Sequence, residues 1–337
     1  MKVVMVDGPG STATMEVDRP ETGPRDVLVR MRACGICGSD GLYIKVGGIP
    51  PRQGATPLGH EPAGEIAEVG ALVEGLSVGD HVVIDTMAAS DGLIGSGGAQ
   101  GGLSEYLLIR DAEVGRHLVT VPPHIPWAVA ALNEPMAVAR HAVNRTAPKS
   151  GDRVVVFGAG PIGLGAAIGY KLRGAHVIVV DIVPNRLAKA LLVGADAVID
   201  SSREDTAARI VELHGEATSG FTRGVRAGTD IYLDAAGVPA VIATVSDIAK
   251  HGATLGVVAV HKAPVPVDLG ALLTTELTVV LAMGYPTEIF EVTGDIVANW
   301  ERYAHIVSDT VPFAEVERAL ALATTPGAAE KVVVTFG

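Results

Sequence analysis

The sequence predicts two domains, one mostly β and one α/β with a doubly wound parallel sheet, and three observations carry that expectation. The chain has 337 residues, and at about 150 residues per domain it divides into two parts that can each bury a core. Up to about Ala147, short apolar runs alternate with Gly-Pro, Gly-Asp and Pro-Pro dipeptides, the pattern of short strands joined by turns. From Gly151 to about Met283 the pattern becomes strand, turn and helix, repeated, as a βαβ series reads.

In the first part, strands are expected at Val3–Val6, Val27–Met31, Gly64–Val69, His81–Ile84 and Tyr106–Ile109. The stretch Asp91–Gly102 holds six glycines and reads as a flexible loop without periodicity. In the second part, RVVVF, HVIVVD, AVID, DIYLD and ATLGVVAV are β-branched and apolar on both faces, as buried parallel strands should be. Helices are expected at Pro184–Val193, with proline near its start and glycine past its end, and at Asp205–His214 before Gly215. Beyond Tyr285, one or two helices (Thr287–Ala298 and Phe313–Ala323) and a last strand (Lys331–Phe336) are expected. No repeat of solenoid length is present.

Composition narrows the function. Charged residues are 19% of the chain and 48% is hydrophobic, which excludes disorder. The net charge of −12 sets the field against nucleic acid and anionic membranes, and 4% aromatics leave little for base stacking. Two cysteines are too few for a secreted disulfide scaffold. The N-terminus has no signal-peptide pattern. The longest uncharged stretch, Val154 to Tyr170, carries five glycines and a proline, a poor membrane helix. A soluble, cytoplasmic protein without nucleic-acid or membrane partners is expected.

Directly after the run Val154–Phe157 comes GAGPIG, with Gly158, Gly160, Pro161, Ile162 and Gly163. The first glycine permits a tight turn and the second a close approach to a pyrophosphate. The third allows helix and strand to pack closely, with helix N-terminal N–H groups aimed at the phosphates. Asp181 ends the next strand, 23 residues after Gly158, near the ~20 expected of an acid that binds the adenosine ribose. A carboxylate there accepts from the ribose diol and repels a 2′-phosphate, so NAD(H) is expected over NADP. Arg186 either contacts adenine or phosphate, or is a solvated arginine at a helix start.

The first part also carries Cys34-Gly-Ile-Cys37-Gly-Ser-Asp40, then Gly59-His60-Glu61, then Asn133-Glu134-Pro135. Singly, these read as a redox dithiol, a structural histidine and solvated acids. A thioredoxin-like dithiol belongs at a helix start in its own βαβ fold, whereas the α/β pattern here lies elsewhere in the chain. One thiolate, one imidazole and a carboxylate form a borderline-soft set suited to Zn²⁺.

The order GICGSD, PLGHEPAGEIAEVG, GLSVGDHVV, GGLSEYLLI, NEPMAVARHAV, VVVFGAGPIGL and VVD…NRL resembles the zinc-dependent medium-chain dehydrogenase/reductase (alcohol dehydrogenase) family. The sorbitol, threonine and butanediol dehydrogenase branch is the nearest, and the resemblance spans essentially the whole chain. It implies a GroES-like catalytic domain from residues 1–147 and 286–337, a Rossmann NAD-binding domain from residues 148–285, and an active site in the cleft between them. It further implies Cys37 as zinc thiolate, His60 as imidazole ligand and Glu61 as the adjacent acid. Glu134 stands where liver-type alcohol dehydrogenases have a second cysteine. Cys34 matches no ligand position and reads as a small buried hydrophobe.

Cys37 and one carboxylate neutralise Zn²⁺, whereas Glu61 and Glu134 together make the site anionic. One glutamate is therefore expected to bind directly and the other through water. Ser39 matches the hydroxyl that takes the substrate proton, compatible with a helix N-cap serine, and Asp40 is assigned to structure. Tyr43 matches a pocket-lining position or is an ordinary half-buried tyrosine. Leu42 replaces the relay histidine of some relatives. The region Thr86–Gly102, where most of the branch holds a structural zinc, has no cysteine, so one catalytic zinc per subunit and no structural zinc is expected. LAMGYP around Gly284 replaces an arginine-bearing stretch of sorbitol dehydrogenases, which makes a strongly polyol-clamping pocket unexpected.

The reaction expected is reversible, zinc-assisted oxidation by NAD of an alcohol to a ketone, with a secondary alcohol, diol, polyol or cyclitol as substrate. The alternatives are a zinc-free quinone or enone reductase of the same superfamily and a non-catalytic NAD-binding protein. A homodimer or homotetramer is expected, with Leu277–Met283 either pairing across a two-fold axis or lying inside the sheet.

Overall fold

Strand pairing begins with a hairpin that the sequence reading passed over. In the computed structural model, which describes residues 1–49, 52, 54–218, 224–325 and 327–337, Lys2–Gly8 pairs antiparallel with Ser11–Glu16. Gly10 takes φ +74° in the turn between them. Ser11–Glu16 is largely exposed and its apolar alternation consists of Ala13 and Met15 alone, too short to stand out in the hydrophobic pattern.

The chain divides into two units, Met1–Glu134 with Ile289–Gly337, and Pro135–Glu288. In the first, a seven-stranded sheet runs Asp309–Pro312, Val332–Thr335, Val27–Gly35, Glu61–Val69, His81–Ile84 and Leu118–Thr120, with Tyr106–Ile109 also paired to Val27–Gly35. The C-terminal strand is integral to this unit: Val333, Val334 and Thr335 lie opposite Gly35, Cys34 and Ala33. Where the chain leaves and returns, Asn133 Nδ2 donates to Ile289 O at 2.8 Å and Thr293 Oγ1 to Asn133 Oδ1 at 2.8 Å.

The glycine-rich stretch is not the flexible loop its composition suggests. Ile94 is 1% exposed and joins the core of Val27, Val29, Met31, Ile66, Val82 and Leu107. Burying one such side chain contributes about 1.5–3 kcal/mol. Its backbone closes on itself through Gly95 N–H to Gln100 O at 2.7 Å and Gly98 N–H to Leu93 O at 2.9 Å. An isoleucine among glycines is one of its anchors.

The second unit is a six-stranded sheet in the order Ala197–Asp200, His176–Asp181, Arg153–Phe157, Ile231–Asp234, Thr254–Val257, Thr278–Leu281. All its pairings are parallel. The strand order reverses beside Arg153–Phe157, and ligands bind such sheets at that switch point. Helix Pro161–Leu172 lies on the sheet, and its Gly165 and Gly169 leave no room for β-carbons against Met136 and Val143. No described helix is long and apolar enough to cross a membrane.

Candidate metal centre and nucleotide site

Cys37 immediately precedes the helix Gly38–Val46, with extended backbone angles of φ −97° and ψ 158°. Asp40 secures this start, accepting the Cys37 N–H on Oδ2 at 2.9 Å. Ser39 thus lies in the first turn rather than at the cap, because the chain turns helical two residues earlier. His60 and Glu61 sit where the chain enters the long strand Glu61–Val69. One donor atom from each of Cys37, His60 and Glu61 lies within 4.8 Å of the others.

The surroundings of this trio are charged, with His60 and Glu61 buried and Cys37 half-buried. His60 Nδ1 lies 3.4 Å from Asp40 Oδ1, and Asp40 is fully buried. Ser39 Oγ is 3.4 Å from the other ring nitrogen, Nε2. Burial pulls the imidazole toward its neutral form, but the Asp40 carboxylate and the Cys37 sulfur outweigh it and hold its pKa well above the ordinary value. Glu61 Oε2 pairs with the Lys331 ammonium, which also donates to Ile36 O at 3.2 Å. Burial works against the Lys331 charge, yet Glu61 and Cys37 more than offset it and raise its pKa. A β-carbon on Gly35 would overlap the Glu61 carboxylate, so only glycine leaves that carboxylate its place.

Glu61 Oε1 is buried with no hydrogen-bond partner. A buried carboxylate oxygen left open in this way is costly unless a cation meets it. Thiolate, imidazole and carboxylate donors fit a divalent ion of zinc's class. Asp40 Oδ1, behind His60 Nδ1, stands where an outer carboxylate can orient an imidazole that ligates a metal. The sequence reading gave Asp40 to structure alone and missed Lys331.

Glu134 opens the helix Asn133–Thr146 and stands outside the converging trio. Burial lifts its carboxyl to about 7, with His60 opposing and Glu61 adding to the rise. Tyr43 is partly buried against the core that contains Val4, Ile36 and Leu320, and Leu42 is exposed. Cys34 is fully buried, and burial pushes its thiol pKa far up.

In the second unit, Gly158 takes φ +97° and its N–H donates to Val180 O at 2.7 Å. Nothing lies within 4 Å of the place a Gly160 β-carbon would take, leaving that face of the turn open. Pro161 and Ile162 form the first turn of the helix, and a β-carbon on Gly163 would overlap the Gly158 carbonyl. Asp181 Oδ2 accepts from Ala159 N–H at 2.7 Å, and Oδ1 from Ile182 and Val183 at 2.7 and 2.9 Å. Gly158, Gly160, Asp181 and Arg186 line one groove of 560 Å³, together with Ala235, Ala236 and Val238. Asp234 holds that second stretch of the lining, accepting from Ala236 and Gly237 N–H on Oδ1 and meeting His261 Nε2 at 2.8 Å on Oδ2. The sequence reading did not single out this pair of a buried aspartate and a half-buried histidine.

A parallel sheet with a glycine-rich turn, and a mostly antiparallel unit in which a thiol, an imidazole and a carboxylate converge as a metal site requires, are the features of a metal-dependent dehydrogenase. The alcohol dehydrogenase GroES-like domain matches residues 23–122 and the zinc-binding dehydrogenase domain residues 161–299. (R,R)-butanediol dehydrogenase of Bacillus subtilis is 36% identical over 250 residues, 67% of this chain and 68% of that one. Sorbitol dehydrogenase of Halalkalibacterium halodurans is 34% identical over 264 residues, 73% of this chain and 72% of that one. The crystal structure of the Bacillus subtilis 2R,3R-butanediol dehydrogenase superposes with a TM-score of 0.85 at 28% identity, covering 99% of each chain. The chain belongs to the zinc-type medium-chain alcohol dehydrogenase family, in its sorbitol and butanediol dehydrogenase branch, and is an oxidoreductase.

Proposed function

We propose that this enzyme reversibly oxidises a secondary alcohol, diol, polyol or cyclitol to a ketone, with NAD as hydride acceptor and one catalytic zinc per chain. The observation that carries the reading is the convergence of Cys37, His60 and the unpartnered Oε1 of Glu61. Zinc held there supplies Lewis acidity toward a hydroxyl oxygen. Cys37 and Glu61 balance its charge, with Lys331 tempering that of Glu61, and Asp40 fixes the direction of the His60 ring. Ser39 Oγ would accept the substrate's hydroxyl proton while passing its own outward to water or a ribose hydroxyl of the dinucleotide. Glu134, with its carboxyl lifted to about 7, is the glutamate that reaches the ion through water, and Tyr43 contributes to the substrate pocket.

The second unit binds and orients the dinucleotide. The open face at Gly160 admits the pyrophosphate, and the helix N-terminus at Pro161, Ile162 and Gly163 presents N–H groups to it. Asp181 exchanges part of its backbone pairing for the ribose diol, and Arg186 lies along the same groove. The named relatives act on butanediol and sorbitol, which supports a vicinal diol or polyol as the first substrates to try. Two free thiols suit the reducing cytoplasm. We further assign the enzyme as a homodimer or homotetramer, joined along the exposed strand Thr278–Leu281.

The deciding experiment is zinc quantification followed by NAD-linked turnover across an alcohol library. About one zinc per chain is expected, and Cys37→Ser or His60→Ala should abolish turnover while NAD still binds. Near-normal turnover by metal-stripped enzyme would refute the reading.

A further inference from the structure

The segment that delivers His60 is gripped by backbone on several sides. Gly102 N–H donates to Gly59 O at 2.7 Å and Leu103 N–H to Leu58 O at 3.0 Å, while Leu58 also bridges Ser96. Gly95, at φ +67°, presses on the Gly59–His60 peptide. A β-carbon built on it would overlap the Gly59 carbonyl and fall 2.8 Å from the His60 nitrogen. On another side, the Cys34 sulfur lies 2.9 Å from where a Gly59 β-carbon would stand and 3.1 Å from that of Gly102. Such approaches are open only to glycine.

The stretch that makes these contacts is itself fixed. The Gln100 amide donates to Leu108 O at 2.9 Å and accepts the Leu108 N–H at 2.9 Å, pinning it to the strand Tyr106–Ile109. The same amide nitrogen reaches Asp91 Oδ2 at 3.2 Å, and the Gln100 carbonyl holds the Gly95 N–H. With Ile94 in the core, Gly95 is supported from below and from both ends.

We propose that the cysteine-free lobe of residues 91–102 is a positioning device for His60, with Gly95 as the contact and Gln100 as the anchor. The inference rests on His60 being a zinc ligand. Metal–ligand distances tolerate only about ±0.2 Å, so a backbone displaced by a few tenths of an ångström takes the imidazole off its mark. Gly95→Ala forces either the lobe or the Gly59–His60 peptide to move by at least that much.

The test compares Gly95→Ala with Gly97→Ala. Both positions have positive φ, +67° and +102°, but a β-carbon on Gly97 meets only Ile49, at 3.3 Å. Both variants carry the left-handed penalty, and only the first presses on His60. Metal-free proteins are titrated with Zn²⁺ against a chelator and with Co²⁺, whose thiolate absorption reports the geometry of the site. Zinc affinity of Gly95→Ala should fall about 10- to 100-fold below that of Gly97→Ala, with an altered cobalt spectrum. Gln100→Met, which removes the anchor without touching His60, should shift affinity in the same direction.

Equal zinc affinities in the two glycine variants would overturn the proposal. If Gly95→Ala fails to fold, an unchanged affinity in Gln100→Met does so instead. Wild-type protein that takes up no zinc would overturn the underlying reading of the site.

Discussion

Lys331 and Glu61 face each other 270 positions apart in the chain, both almost fully buried. Removing one member of such a pair leaves an uncompensated charge and costs about 3–5 kcal/mol. Lys331→Met should therefore lower the stability of metal-free enzyme by roughly that amount. A cation at the trio replaces the missing charge, so zinc should stabilise the variant more than wild type. Denaturant unfolding with and without zinc measures this, and equal zinc increments would sink it. At Asp181, alanine should weaken NAD turnover about 10- to 100-fold, the loss of one or two charged hydrogen bonds, and narrow the preference over NADP; an unchanged ratio of kcat/KM values for the two cofactors would remove Asp181 from the ribose site. The separation in sequence also explains which residues were legible. His60 and Glu61 are neighbours, and Cys37 sits in a recognisable string, whereas Lys331 stands just before the ordinary apolar strand Val332–Thr335, with no motif around it to mark its task. Asp40 was visible, but its second task, backing His60, depends on a contact across 20 residues that no spacing rule encodes.

Elements were legible where burial imposes a period. The parallel strands of the second unit are apolar on both faces, and RVVVF and AVID coincide with Arg153–Phe157 and Ala197–Asp200. The lobe 91–102 was misread because glycine content predicts freedom for an isolated chain, not for one pinned by Ile94 and Gln100. The helix Thr206–His214 was expected within a residue, but what its last residue does was not. His214 is buried, with Nδ1 2.8 Å from Thr229 Oγ1 and Nε2 3.3 Å from His176 Nδ1. Burial, with the His176, Arg153 and Lys250 charges and against that of Asp230, pushes its pKa down from 6.5 to about 4. The folded state thus favours neutral His214. Its stability is intact above the unfolded pKa of about 6.5 and declines as pH falls toward 4, by roughly 3 kcal/mol in all. Urea midpoints of wild type between pH 7 and pH 4 should fall more steeply than those of His214→Gln. Parallel curves would mean that the histidine pair contributes nothing to acid sensitivity.

For the whole molecule the open question is what covers the last strand of the parallel sheet. Among the described residues Thr278–Leu281 pairs on one side only, with Thr254–Val257, and it carries Leu281 at 67% and Met283 just beyond it at 83% exposure. Leu269 and Leu273, on and beside the short helix Leu269–Leu272, are likewise exposed. An unprotected apolar edge is an invitation to pair, and the sequence placed no proline or lysine within Leu277–Met283 to prevent it. A second copy meeting the strand about a two-fold axis would satisfy the free backbone groups and cover the leucines in one step, since a self-complementary patch closes as a dimer. The net charge of −12 opposes non-specific association and leaves this apolar strip as the place where attraction can win. Sedimentation should therefore give a multiple of the 34.5 kDa chain mass. Leu281→Lys combined with Met283→Lys should move it to the monomer, because two ammonium groups on each chain would face each other at the axis. Zinc content should survive that change, as the metal ligands lie in the other unit. A wild-type protein that sediments at the single-chain mass at micromolar concentration would leave the edge without a partner of its own kind.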